Sequence, residues 1–256
     1  MNDTEGFYEE HGYLGPATAF DAAELNRPEL LSLVGALIEW PECRNRHLDT
    51  PAVAGLCQSE RVTGRVRNIL GPDLLLWRSN IFAMSTSGYL LPWHQDAYND
   101  VLECRNGASH CSVQINLTDS SPHNCVAVIP GSHRWDADEL HQRGYSLVSV
   151  REGGSNTPEY KVPGNAPTVD VPLKAGEFYV FHPKLLHASM LRPAEGAIHE
   201  APDQAEAVRL SITLRIATPG CHVLSTAFAG TPTRAECVLL SGANGDALNP
   251  VGAWAA

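Results

Sequence analysis

From Asn68 onward the chain breaks into short apolar runs punctuated by Gly, Pro, Asn and Asp, and this texture limits the possible folds more than any other feature. Several runs alternate with period 2, the pattern of a sheet with one buried face, so strands are expected at 74–84, 111–118, 125–130, 168–173, 177–182, 208–216 and 221–226. Many short strands in one unit predict a double-sheet jelly roll, or cupin-like barrel. Residues 4–40 read differently. Phe20, Leu25, Leu30, Leu31, Val34 and Ile38 recur at helical spacing and predict two helices, with Pro28 suited to begin the second. Phe7, Tyr8 and Tyr13 are expected to bury their rings against the domain. The expected architecture is mainly β with flanking α-helices: one domain over 1–256, a helical part at about 1–70 and a jelly-roll core at about 71–230. Two stretches, 151–167 and 193–207, read as loops, the second as a lid or short helix.

With 43% hydrophobic and 18% charged residues, the chain has the composition of a protein that buries a core. Its 18 Lys+Arg stand against 29 Asp+Glu, a formal charge of −11, which repels phosphate backbones and anionic headgroups. A small-molecule substrate is therefore the expected partner, with no nucleic acid and no membrane. Lysines are confined to Lys161, Lys174 and Lys184, so the arginines are the expected carboxylate binders. The seven cysteines are odd in number and lack a Cys-x-x-Cys pair, which fits reduced thiols and a cytoplasmic location. Met1 to Gly6 is polar and acidic, unlike a signal peptide, and no apolar run approaches the roughly 18 residues of a membrane span.

The segment LLPWHQDAYND puts His94 and Asp96 two apart, so on an extended backbone both side chains leave the same face. A lone His-x-Asp arises often by chance, and becomes a metal site only if a further imidazole joins it. Ferrous oxygenase centres use two imidazoles and one carboxylate on one side of the ion, leaving the other positions open. In GEFYVFHPKLLHASMLRP both His182 and His187 are candidates for the second imidazole. The segment PHNCVAVIPGSHRW at 122–135 reads as a strand ending in a reverse turn, with His123 and His133 as hydrogen-bonding loop residues.

Taken in order, these segments resemble the phytanoyl-CoA dioxygenase family of 2-oxoglutarate oxygenases, which includes ectoine hydroxylase. The resemblance rests on Trp93-His94-Gln95-Asp96, on Asn124-Cys125 through Pro130-Gly131-Ser132-His133, on His187-Ala188-Ser189, and on Arg209. The opening FYEEHGYLGPATAF is also similar to the family's first helix and turn. The resemblance implies that His94, Asp96 and His187 hold Fe(II), and that Arg209 and Ser189 bind the far carboxylate of 2-oxoglutarate. Two departures stand out: Cys125 replaces the family's usual Gly, and the interval before Arg209 is lengthened by 193–207, which makes Arg192 a competing clamp. In VRLSITLRI, alternation puts Arg209, Ser211 and Thr213 on one face, and Arg215 continues that face as a structural charge near the barrel rim.

LLLWRSNIF resembles a pocket-forming strand of ectoine hydroxylase, and period-2 spacing puts Arg78 and Asn80 on one face of it. In SVQINLTD, Gln114 and Asn116 alternate with apolar residues and suit a pocket wall or an exposed face. Asn80 and Gln114 are candidates for cosubstrate contact; Arg78, Asn116 and Arg192 are candidates for substrate contact. The implied enzyme is a non-haem Fe(II) and 2-oxoglutarate-dependent dioxygenase that uses O2, releases succinate and CO2, and hydroxylates a small polar metabolite or natural-product intermediate, amine-bearing compounds included. The retained Asp96 implies oxygenation and not halogenation. Two alternatives stay open: a cupin-like metal enzyme that does not use 2-oxoglutarate, and a non-catalytic small-molecule-binding protein on the same fold.

Overall fold

The computed structural model describes residues 3–26, 28–37, 42–84, 91–96, 101–105, 107–151, 157–189, 209–224, 237–246 and 248–255. Its helices are α1 (Asp3–His11), α2 (Ala22–Leu25), α3 (Pro28–Leu37), α4 (Pro51–Cys57), α5 (Glu60–Leu70) and α6 (Ala137–Gln142). The strands of the first half are β1 (Tyr13–Thr18), β2 (Glu42–Arg44), β3 (Leu74–Met84), β4 (Leu91–His94), β5 (Leu102–Cys104), β6 (His110–Asn116) and β7 (Val126–Val128). Then follow β8 (Ser146–Arg151), β9 (Thr157–Lys161), β10 (Val169–Val171), β11 (Glu177–Phe181), β12 (His187–Ser189), β13 (Arg209–Ala217), β14 (Cys221–Val223), β15 (Cys237–Ser241) and β16 (Val251–Gly252). No helix among the described residues is long and apolar enough to cross a membrane.

The strands form a mainly β jelly roll. A major sheet runs in the order β1-β11-β6-β13-β3-β15-β16, with β2 also paired to β3; a minor sheet runs β10-β7-β12-β4-β9-β8; β14 and β5 make a separate pair. The major sheet takes strands from beyond the expected core limits of 71 and 230. Its β1 comes from the stretch read as helical, and β15 and β16 come from the end of the chain.

Strand β13 explains how the major sheet is built. All nine of its residues are buried. Leu210, Ile212, Leu214 and Ile216 leave one face and join a core with Val113 and Ile115 of β6, Leu30 of α3, Leu56 of α4, and Val62 and Val66 of α5. Each such fully buried side chain contributes roughly 1.5–3 kcal/mol. The opposite face carries Arg209, Ser211, Thr213 and Arg215, in register with Asn116, Gln114 and Ser112 on β6 and with Phe82, Asn80 and Arg78 on β3. The major sheet therefore turns an apolar face to the helices and a polar face inward. At one end the interior is apolar, filled by Val126, Val128, Val171, Leu173, Phe181 and Leu185.

Two loops fasten the opening helix to this frame. Gly12, with φ +79°, ends α1, its N–H donating to Tyr8 O at 2.8 Å and its carbonyl accepting from His182 N at 2.8 Å. A Cβ at Gly12 would meet His133 Nδ1 at 2.4 Å, so glycine serves both the left-handed backbone and the close approach. His133 bonds through Nε2 to Glu9 O at 3.1 Å, and Gly131 N donates to His11 O at 2.9 Å. The Pro-Gly-Ser-His turn thus anchors α1.

Three expectations need correction. The loop read at 151–167 contains β9, which pairs with both β8 and β4. The segment 4–40 holds α1, α2 and α3 with β1 between them, although the second main helix does begin at Pro28. The expectation of reduced thiols fails for Cys104 and Cys221, which form a disulfide between directly paired positions of β5 and β14. They stand 117 residues apart, so no spacing rule could couple them. Cys57, Cys111, Cys125 and Cys237 are buried free thiols. The second predicted loop, 193–207, lies outside the described residues, as does Arg192.

Candidate metal centre

Strands β4 and β12 are neighbours in the minor sheet, and their register sets His187 directly opposite His94. The two rings lie 4.1 Å apart between centroids. Just beyond the end of β4, Asp96 turns its carboxylate to both imidazoles: Oδ1 is 3.9 Å from His94 Nε2, and Oδ2 is 3.9 Å from His187 Nε2. These separations are too long for hydrogen bonds and suit donor atoms that face a common centre. One ligand atom from each of the three residues lies within 4.8 Å of the others, and all three residues are buried.

The backbone fixes which nitrogen each imidazole offers. His94 Nδ1 is 2.7 Å from Pro92 O, and His187 Nδ1 is 2.9 Å from Leu185 O. Carbonyls only accept, so each Nδ1 carries the proton and each Nε2 presents its lone pair to the centre. Burial drives both imidazoles toward neutrality. His94 is pushed down to about 3, with His187 nearby adding to the effect, and His187 is lowered by burial as well. Neutral imidazoles and an ionised carboxylate are the metal-binding forms.

Neighbouring segments hold the triad in place. Gln95, between His94 and Asp96, donates to Lys184 O at 2.6 Å and accepts from Tyr160 Oη at 3.1 Å. Ser132 Oγ accepts from Leu186 N at 2.9 Å, and Ile129 N donates to Leu186 O at 2.9 Å. The Pro-Gly-Ser turn thereby grips the residue before His187. His182 sits apart from the centre, its ring 5.0 Å from that of His133, and its Nδ1 accepts from Lys184 N.

The inner face of the major sheet supplies the facing wall. Arg209 donates through Nη2 to Ser189 Oγ at 2.8 Å and through Nη1 to Asn124 O at 3.0 Å. Its Nε, together with the buried Tyr179 Oη and Ser211 Oγ, has no hydrogen-bond partner among the described residues. Leaving such buried groups unsatisfied costs about 1–3 kcal/mol each, so this wall favours a ligand that accepts hydrogen bonds, as a carboxylate does. Arg78 Nε donates to Asn80 Oδ1 at 2.8 Å, and both residues are buried on the same wall. Gln114 is also there, its Nε2 donating to Asn116 Oδ1 at 3.1 Å. The Asn116 amide is engaged at both ends: its Oδ1 accepts from Gln114 on the same strand, and its Nδ2 reaches Ser120 Oγ and Leu173 O of a neighbouring loop.

Arg215 also departs from expectation. It is enclosed, not at a rim, and its Nη1 lies 2.5 Å from Asp96 Oδ2. Ser112, which bonds to Arg215 Nη1, donates to the same oxygen at 3.2 Å. Sequence reasoning did not single out Ser112, Tyr179 or Gln95 as site residues. The signal for Ser112 was its place on the same alternating face as Gln114 and Asn116 in CSVQIN.

Comparison with known proteins agrees with this geometry. The family model described as phytanoyl-CoA dioxygenase matches residues 42–190, more than half of the chain. The ectoine dioxygenase of Stutzerimonas stutzeri (strain A1501) is 35% identical over 91 residues, a stretch that makes up 34% of this chain and only 30% of that protein. Among solved structures, the apo non-heme monooxygenase ThoJ is 26% identical with a TM-score of 0.66, covering 98% of this chain and 88% of its own. CytC3 with Fe(II) and alpha-ketoglutarate shares the fold at 19% identity and a TM-score of 0.69, covering 98% of this chain and 92% of its own. The family model spans the segment that carries all three residues of the triad, and by that match the chain belongs to the phytanoyl-CoA dioxygenase family.

Proposed function

We propose that this chain is a non-haem Fe(II) and 2-oxoglutarate-dependent dioxygenase, organised as one domain over residues 1–256, that hydroxylates a small polar molecule. The observation that carries the reading is the meeting of His94 Nε2, His187 Nε2 and the Asp96 carboxylate, with both Nδ1 atoms engaged by backbone carbonyls. Two imidazole nitrogens and one carboxylate oxygen are a donor set that would hold ferrous iron beside a chelating cosubstrate and O2. Participation of β1, β15 and β16 in the major sheet supports a single domain.

When bound, iron, 2-oxoglutarate and O2 supply the oxidising chemistry, with succinate and CO2 as co-products. The chain's own residues orient and enclose. His94 and His187 would hold the ion through nitrogens whose tautomer is set by Pro92 and Leu185, and Asp96 would bring the compensating negative charge. Arg209, steadied by Ser189 and the Asn124 carbonyl, pairs with the far carboxylate of 2-oxoglutarate, with Tyr179 and Ser211 as further donors. Asn80 and Gln114 border the cosubstrate, and Arg78 faces the substrate. A polar inner wall and an acidic surface suit a polar, amine-bearing substrate. The proposed setting is the cytoplasm, in keeping with the four buried free thiols, the Cys104–Cys221 bond being the exception.

The test is anaerobic addition of Fe(II) and then 2-oxoglutarate to the purified chain. A charge-transfer absorption band should appear, and admitting O2 should release succinate faster with a true substrate present. Absence of both the band and succinate would reject the reading.

A further inference from the structure

Asp96 is also held from the major sheet. Its Oδ2 receives the Arg215 guanidinium at 2.5 Å and the Ser112 hydroxyl at 3.2 Å, and Arg215 and Ser112 are bonded to each other. The three residues are buried, and they come from three separate pieces of chain: the end of β4, β6 and β13. Register explains the meeting, because Ser112 and Arg215 are directly paired across β6 and β13 on the inner face. A carboxylate has about four lone-pair sites on two oxygens. Two of the donors converge on one oxygen, and that oxygen is the poorer metal donor as a result.

We infer that Arg215, seconded by Ser112, is the positioning residue of this centre: it occupies Asp96 Oδ2 so that the carboxylate ligates through Oδ1 alone and keeps the remaining positions open for a chelating cosubstrate. The inference rests on the metal reading of the triad. It gives a role to the one charged side chain on the β13 inner face that the clamp does not use.

Two effects of removing Arg215 oppose each other. Its positive charge repels a divalent ion and its loss would strengthen binding, whereas loss of orientation weakens binding. Partners that hold a metal ligand in place are worth about 10–100-fold in metal affinity when removed. The absorption spectrum separates the two effects, because only lost orientation changes how the carboxylate ligates.

The experiment titrates the apo chain with Co(II) alone and follows the d–d absorption, for the unsubstituted chain, Arg215→Met, Arg215→Lys and Ser112→Ala, with circular dichroism to check folding. Arg215→Met should bind Co(II) about 10–100-fold more weakly. Its bands should weaken in intensity, as the freed second oxygen raises the coordination number. Arg215→Lys keeps the repulsive charge without the planar fork and should recover only part of the affinity. Ser112→Ala should lose a smaller factor and show the same spectral trend. Equal or tighter Co(II) binding by Arg215→Met, with an unchanged spectrum, overturns the inference and leaves the metal reading intact. If Arg215→Met does not fold, unchanged affinity and spectrum in both Arg215→Lys and Ser112→Ala overturn it instead. Failure of the unsubstituted chain to bind Co(II) rejects the metal reading and the inference together.

Discussion

Ser189, two residues after His187, accepts a 2.8 Å hydrogen bond from Arg209 Nη2, so the short strand that carries one imidazole also orients the guanidinium across the interior. If Arg209 is the proposed clamp, Arg209→Lys removes its planar fork and should raise the KM for 2-oxoglutarate by about 10–100-fold, the equivalent of a charged hydrogen bond at about 1.5–3 kcal/mol. Ser189→Ala should raise it less, by about fivefold for a loss near 1 kcal/mol. Steady-state succinate release at varied 2-oxoglutarate is the measurement, and an unaltered KM in Arg209→Lys would transfer the clamp to another residue.

Asp96→Ala should abolish succinate release and also lower stability. The substitution leaves Arg215 as a buried charge without its carboxylate partner, a change that typically costs about 3–5 kcal/mol. Urea unfolding of the metal-free chain isolates this contribution from metal loss. A midpoint equal to that of the unsubstituted chain would mean that Arg215 does not depend on Asp96.

Acid should destabilise the fold through His47. This buried imidazole bonds through Nδ1 to Ser79 Oγ at 2.7 Å, and burial lowers it from 6.5 to about 4. Between those values the unfolded chain takes up a proton that the folded chain refuses, so stability is present above pH 6.5 and declines as pH falls toward 4. The full window is worth about 3 kcal/mol. His47→Gln should flatten the dependence of Tm on pH between 6.5 and 4; an unchanged slope would assign the titration elsewhere.

Reduction of Cys104–Cys221 should shift the urea midpoint downward, by about 2–4 kcal/mol in unfolding free energy. Cys104→Ser should be as stable as the reduced chain and insensitive to added thiol. Titration of seven free thiols in the untreated, denatured protein would contradict the bond.

What could be read from the sequence was what local pattern controls. Strand β3 announces itself as apolar runs and β13 through alternation, and the two faces of β13 follow from VRLSITLRI alone. Strand β4 does not, because Leu91-Pro92-Trp93-His94 has no alternation and becomes a strand only by pairing with β12 and β9. Likewise Tyr13–Thr18 carries Gly15 and Pro16 and is a strand because β11 lies beside it. Between His182 and His187 the residues alone could not decide; register with His94 separates them, since one sits opposite His94 and the other stacks near His133. Arg215 was visible as a member of the correct face, but its partner Asp96 lies just beyond a strand of the other sheet, and a contact of that kind leaves no periodic trace.

The His94 and His187 imidazoles belong to the minor sheet, whereas Arg209 and Arg215 belong to the major one. A diacid gripped at one end by an ion on the first sheet and at the other by a guanidinium on the second would act as a cross-tie between the two halves of the sandwich. Loading such a ligand should make the halves open as one cooperative unit, and amide exchange in β12 and β13 should slow together.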